Sequence, residues 1–141
     1  MNKLKNLDLE KLDKALDNPF NDEIENLNYD KIQEMNIKII NELHLPKKDA
    51  VSIAISLKDY LFIDELSDIK DGRFVKWINF EDPEKLKQGG IICGYEIGNE
   101  GVYLKCKNFK NRFFSLSLEK NLVFQKLSNQ EIIIINALKL I

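Results

Sequence analysis

GRFVKWINFEDPEKLKQGGIICGYEIGNEGVYLKCKNFKNRFFSLSLEKNLVFQKL, residues 72–127, decides the fold. It reads as five short strands joined by tight turns. In RFVKWINF, alternation sets Val75 and Trp77 on one face and Phe74, Ile78 and Phe80 on the other. EDPEKLKQGG reads as a surface loop, after which Gly89-Gly90 lets the chain re-enter the sheet. IICGYEI and VYLKCK then flank Gly98-Asn99-Glu100-Gly101. A two-residue turn at Asn99-Glu100 pairs Ile97 with Val102, Tyr95 with Leu104 and Cys93 with Cys106 on an apolar face. The same register pairs Glu96 with Tyr103 and Gly94 with Lys105 on a polar face. A longer loop with a one-residue shift is the alternative. In RFFSLSL, Phe114, Leu116 and Leu118 point inward and Phe113, Ser115 and Ser117 outward. Glu119-Lys120-Asn121 leads into LVFQKL, and Ser128-x-x-Glu131 opens a closing helix as a capping box.

Working outward, the preceding residues are helical and acidic. Leu9, Leu12 and Leu16 form a one-leucine-wide stripe on a short helix that ends at Asn18-Pro19. Such a helix needs a groove on its own body or on a partner. A second helix runs from Tyr29 to Leu43, capped by Asn28, with Ile32, Met35, Ile39, Ile40 and Leu43 on one side. After Leu45-Pro46, residues 50–63 are apolar on more than one face, which predicts a central helix. Strand is the alternative for 51–55.

The fold class expected is therefore α+β. N-terminal helices precede a five-stranded antiparallel SH3-like or Tudor-like β-barrel and a C-terminal helix. Residues 1–69 form an acidic helical segment packed on the barrel, and residues 70–141 form the barrel with its helix. At 141 residues this is enough chain for a real core without staples. No apolar run reaches the ~18 residues of a membrane span. The N-terminus carries no signal-peptide core, and two cysteines suit a reducing compartment. A soluble, intracellular protein with no membrane partner is expected.

Residues 1–69 hold 9 Lys and 15 Asp/Glu, whereas residues 70–127 hold 11 Lys/Arg and 7 Asp/Glu. An acidic half thus joins a mildly basic one. Most polar constellations have simple structural readings. Cys93 and Cys106 lack two further ligands for a zinc site and read as small buried thiols. His44, the single histidine, sits at a helix end where its charge suits the dipole. Trp77 reads as core. The carboxylates lack the spacing of a catalytic or metal motif, and the glycine pairs lack that of a phosphate loop. No catalytic residue, metal or cofactor is implied.

One surface stands apart. In KCKNFKNRFF, residues 105–114, Lys105 and Lys107 share an outward strand face, Lys110 sits on the turn and Arg112 starts the return strand. Tyr103 and Phe113 flank them. Cations interleaved with rings suit nucleic acid, because lysines meet phosphates and rings stack on bases. The same surface could grip a protein, or lie covered by the acidic helices. A pI of about 5.5 argues against a dedicated nucleic-acid binder.

The segment also resembles small uncharacterised proteins of large nucleocytoplasmic DNA viruses. The shared features are Gly72, Trp77-Ile78-Asn79, Asp82-Pro83, Gly89-Gly90, Asn111-Arg112-Phe113-Phe114 and Val123-Phe124-Gln125-Lys126-Leu127. They span the C-terminal half, and residues 1–65 carry none. The resemblance implies a viral origin, placing the chain in a virion or the host cytoplasm, and it brings no activity. A composition with 19 Lys, 18 Ile and 15 Asn, all A/T-rich codons, is compatible with it. The leading expectation is a non-enzymatic protein-interaction or structural module, with nucleic-acid binding through residues 103–113 as the alternative. An enzyme is the third reading, and no residues converge on one.

Overall fold

The computed structural model describes residues 9–17 and 28–138. Its helices are α1 (Leu9–Asp17), α2 (Tyr29–Asn41), α3 (Lys47–Ser56) and α4 (Asn129–Leu138). Its strands are β1 (Tyr60–Phe62), β2 (Phe74–Asn79), β3 (Leu86–Gly98), β4 (Gly101–Lys107), β5 (Phe113–Ser117) and β6 (Asn121–Lys126). They form one antiparallel sheet in the order β1-β6-β2-β3-β4-β5.

The protein is α+β as expected, but the five-stranded SH3-like or Tudor-like barrel is corrected to an open six-stranded sheet. Residues 72–127 do supply five strands, β2 to β6. The sixth, β1, comes from the tail of the run expected to be helical over 50–63. There the helix stops at Ser56, and Tyr60–Phe62 pairs with Phe124–Lys126. Tertiary contacts override helix pattern here. Asn36, buried on α2, donates through Nδ2 to the carbonyls of Leu57 (3.4 Å) and Tyr60 (3.1 Å), fixing the chain as it leaves α3. β1 and β5 are then the two edges, and they do not pair with each other.

The sheet curls toward an inner face. Val75, Ile92, Leu104, Cys106, Leu116 and Val123 pack there with Trp77 and Phe114, under Ile63 and Ile69 of the crossing segment. Trp77 on β2 and Phe114 on β5 have ring centroids 5.5 Å apart, although two strands lie between them. A flat sheet would separate those strands by roughly 14 Å. Gly90 makes the approach possible, since a Cβ there would sit 2.6 Å from the Phe114 ring. Trp77 is thus a core residue, as its sequence reading has it.

Two bulges in β3 account for departures from the expected register. Gly89, at φ +112°, is the extra residue opposite Val75/Lys76 and lets β3 begin at Leu86, within the expected loop. The hairpin pairs Gly98 with Gly101, and the expected register holds from Ile97↔Val102 to Gly94↔Lys105. It then slips, so that Ile92 rather than Cys93 opposes Cys106. The shared buried position expected for the two thiols is corrected: Cys106 is buried and Cys93 exposed.

α2 and α3 cover the outer face over β1, β6 and β2, burying Ile40, Ile53 and Leu57 against Ile78 and Phe124. Lys76 of β2 reinforces the contact. Its Nζ donates to Ser56 O at 2.9 Å and lies 4.6 Å from the Tyr60 ring centre. On α2, Asn28 caps the first turn as expected, accepting from Lys31 N at 2.8 Å. The buried line is Ile32, Asn36 and Ile40, so Met35 is turned outward from the expected stripe. α1 packs on α4 through Ala15 and Leu12, leaving Leu9 and Leu16 exposed. A small residue permits that close approach where a leucine stripe alone was expected. His44 lies exposed in the turn after α2 with φ +53°.

The capping box of α4 carries more than a cap. Glu131, with its side chain only 2% exposed, accepts from Ser128 N (2.7 Å), Arg73 Nη1 (2.5 Å) and Lys70 Nζ (3.3 Å). Ser128 Oγ accepts from Glu131 N at 3.1 Å. Burial alone would raise the Glu131 pKa. The Ser128 amide, the charges of Arg73 and Lys70 and the Arg73 hydrogen bond outweigh it and hold the carboxyl below its ordinary value. Removing one partner of a buried pair leaves the other uncompensated. Glu131→Gln should therefore cost about 3 kcal/mol in urea unfolding at neutral pH. The wild-type contribution is fully present above the unfolded carboxyl pKa of about 4.3 and disappears as pH falls through the lower folded value. Stability measured below that range should converge for the two proteins.

Candidate binding face

Beyond β2 and the start of β3 at Leu86, no helix among the described residues lies over the outer face of the sheet. Antiparallel pairing puts Tyr103 beside Glu96 and Ser117, Lys105 beside Gly94 and Ser115, and Lys107 beside Ile91 and Phe113. Ile91 in turn pairs with Phe74 of β2. These residues form one surface, and it gathers the expected Tyr103, Lys105, Lys107 and Phe113.

The β4–β5 turn completes it. Asn108 Oδ1 accepts from the amides of Lys110 (2.9 Å) and Arg112 (3.0 Å), while Asn108 N donates to Arg112 O at 2.9 Å. Asn111 takes φ +61°, a left-handed conformation that asparagine tolerates. This closure presents Phe109, Lys110 and Arg112 to solvent. Phe109 is 71% exposed, Phe113 73% and Phe74 42%. The rings of Phe74 and Phe109 are tilted at 6.1 Å between centroids, and Lys107 Nζ lies 5.8 Å from the centre of Phe113.

The six expected residues do not contribute equally. Lys105 is bound to Glu96 at 2.6 Å, so its charge is balanced locally. Tyr103 is half-buried, its ring against Gly98 and its hydroxyl 3.4 Å from Glu100 Oε2. Lys107, Lys110, Arg112 and Phe113 form the cationic and aromatic centre. Phe74 and Phe109 are additions that the sequence reading passed over. The alternation in RFVKWINF set Phe74 opposite Trp77, and Phe109 lies within KNFKNR, so both signals were available.

Two concave features lie elsewhere. A cleft of about 460 Å³ is walled by Met35, Ile39 and Phe62 and floored by the Glu131–Arg73–Lys70 cluster. Both carboxylate oxygens of Glu131 already accept hydrogen bonds. A shallower groove of about 410 Å³ between α2 and α3 is lined by Ile37, Val51 and Ile55. Among the described residues, no group of three His, Cys, Asp or Glu is placed to hold a metal ion, and no helix is long and apolar enough to cross a membrane.

No family model, curated protein or solved structure matches this chain.

The two thiols differ chemically. Burial, with a smaller contribution from Cys93, pushes the Cys106 pKa up to about 12, whereas Cys93 is open to solvent. Since the thiolate is the reactive form, Ellman's reagent should titrate one thiol per native chain and two after denaturation. Two fast-reacting thiols in the native protein would contradict the burial of Cys106, and none would contradict the Cys93 bulge.

Proposed function

We propose that the chain is a non-enzymatic binding module whose outer β3–β5 face takes single-stranded nucleic acid. One observation carries this reading: Phe74, Phe109 and Phe113 are solvent-exposed around Lys107, Lys110 and Arg112, on a face that no helix among the described residues covers. Rings held on a stiff sheet stack on bases, contributing about 1–3 kcal/mol per base with little sequence preference. The cations meet phosphates and displace counterions. A module with three cations and three rings suits a few nucleotides, and the acidic helices keep non-specific affinity low.

A second reading is a protein partner, within a viral assembly if the resemblance holds. What favours it is the α2–α3 groove, where Ile37, Val51 and Ile55 are exposed together. Contiguous apolar surface of that kind is a common docking feature.

Fluorescence anisotropy with labelled oligo(dT) and oligo(U) separates the two. Salt-sensitive binding is expected. Phe109→Ala and Phe113→Ala should each weaken it by about five-fold or more. Lys107→Ala should reduce the slope of log affinity against log salt by about one. Absence of binding at low salt, or affinity indifferent to all three changes, would overturn the nucleic-acid reading. Val51→Lys and Ile55→Lys should leave oligonucleotide affinity unchanged and release a protein partner held in the groove.

A further inference from the structure

The two edges of the sheet are treated differently. On β1, the outward groups on either side of Phe62 are met from within the chain. Tyr60 N donates to Leu57 O at 3.0 Å, Tyr60 O accepts from Asn36 Nδ2, and Asp64 N donates to Asp68 Oδ2 at 3.1 Å. A buried asparagine and a carboxylate thus cover that edge at its two ends.

The β5 edge is open. Leu118 N donates to Val102 O and Asn108 N to Arg112 O, both at 2.9 Å, and the register between them is unbroken. In an antiparallel pair, bonded and non-bonded positions alternate. Phe113, Ser115 and Ser117 therefore turn their N–H and C=O groups away from β4. Ser117 O is taken by its own turn, accepting from Asn121 Nδ2 at 2.9 Å and from Lys120 N at 3.3 Å. Among the described residues, both groups of Phe113 and of Ser115 are left without a hydrogen-bond partner. The strand, FFSLS, has none of the usual protections of an edge: no charge, no proline and no bulge.

The flanking charges say what fits there. Lys110 and Arg112 precede the strand and Glu119 follows it. Neither Arg112 nor Glu119 has an ion-pair partner among the described residues. Lys120 is already near Glu100, at 4.0 Å. An antiparallel copy of the same strand would bring each basic end to an acidic one, whereas a parallel copy would bring like ends together.

We propose that β5 pairs antiparallel with β5 of a second copy about a two-fold axis through Ser115, joining two sheets into one of twelve strands. Ser115 then opposes the partner's Ser115, Phe113 opposes the partner's Ser117, and Arg112 opposes the partner's Leu118, one residue before the partner's Glu119. Inner face continues into inner face, and the two aromatic–cationic surfaces become neighbours on one continuous outer face. This pairing does not require a ligand.

The test is sedimentation equilibrium of the full chain without nucleic acid, together with cross-linking. A species of twice the 16.5 kDa chain mass is expected. Ser115→Lys sets two lysines on the axis and should raise the dimer dissociation constant about ten-fold or more, with the far-UV spectrum unchanged. Arg112→Glu should weaken the dimer, and Arg112→Glu with Glu119→Arg should restore it. In a Cys93→Ser background, Ser115→Cys should form a disulfide-linked dimer with copper–phenanthroline, because a bonded antiparallel pair places its Cα atoms about 5.5 Å apart. Ser52→Cys, exposed on α3, should not. A monomer at every concentration would overturn the proposal, as would a dimer indifferent to Ser115→Lys and to the charge swap.

Discussion

Glu131 holds three separate parts of the chain at one point: the first turn of α4, Lys70 of the segment crossing the inner face, and Arg73 at the start of β2. β2 is an interior strand, so its placement governs its neighbours on both sides. Arg73 also donates to Lys126 O at 3.1 Å, linking the cluster to the end of β6. Successive strand residues point to opposite faces. With Arg73 drawn toward Glu131, Phe74 must turn the other way, onto the outer surface. A buried ion pair at the helix cap thus decides where a surface ring stands. Gln125 works beside it, accepting from Lys70 N at 3.1 Å and donating to Asp68 O, so the crossing segment is held along its length.

What that scaffold leaves uncovered is set by the reach of two short helices. α2 and α3 are 13 and 10 residues long, and they lie over β1, β6 and β2. Among the described residues, β3 to β5 are covered by the crossing segment on their inner side only. A fold gains nothing from keeping phenylalanine on an uncovered sheet face, where each ring leaves apolar area exposed. Three of them beside Lys107, with a turn fixed by Asn108, make a rigid arrangement of rings and positive charge. That arrangement is what the functional reading rests on. The open β5 edge borders the same surface, so partner binding and self-association would share one side of the molecule.

Much of this was readable from sequence wherever local chemistry dictates local structure. Asn28 capped its helix, Ser128 and Glu131 formed their box, and Asn99-Glu100 turned a two-residue hairpin that fixed the faces of Tyr103, Lys105 and Lys107. The departures have a common cause, which is contact between residues far apart in the chain. β1 is three residues long at the end of an apolar run, and it is a strand because β6 and Asn36 hold it there. Gly94, at φ +145°, marks the bulge beside Cys93 but does not show which way the register slips. Nor does the capping motif show that Glu131 will be buried with Arg73, 58 residues away in the chain. A barrel was the natural closure for five strands, and the sixth supplied an edge instead. Phe74 and Phe109 differ from these, since alternation set Phe74 opposite Trp77 and Phe109 lies within the turn KNFKNR.

The most direct test of the central claim is an amide-resolved NMR titration of the labelled protein with oligo(dT). Shift changes should be confined to Phe74, Ile91, Lys105, Lys107 and residues 109–115, with the α2–α3 groove silent. Changes centred on Ile37, Val51 and Ile55, or an unchanged spectrum at low salt, would contradict it.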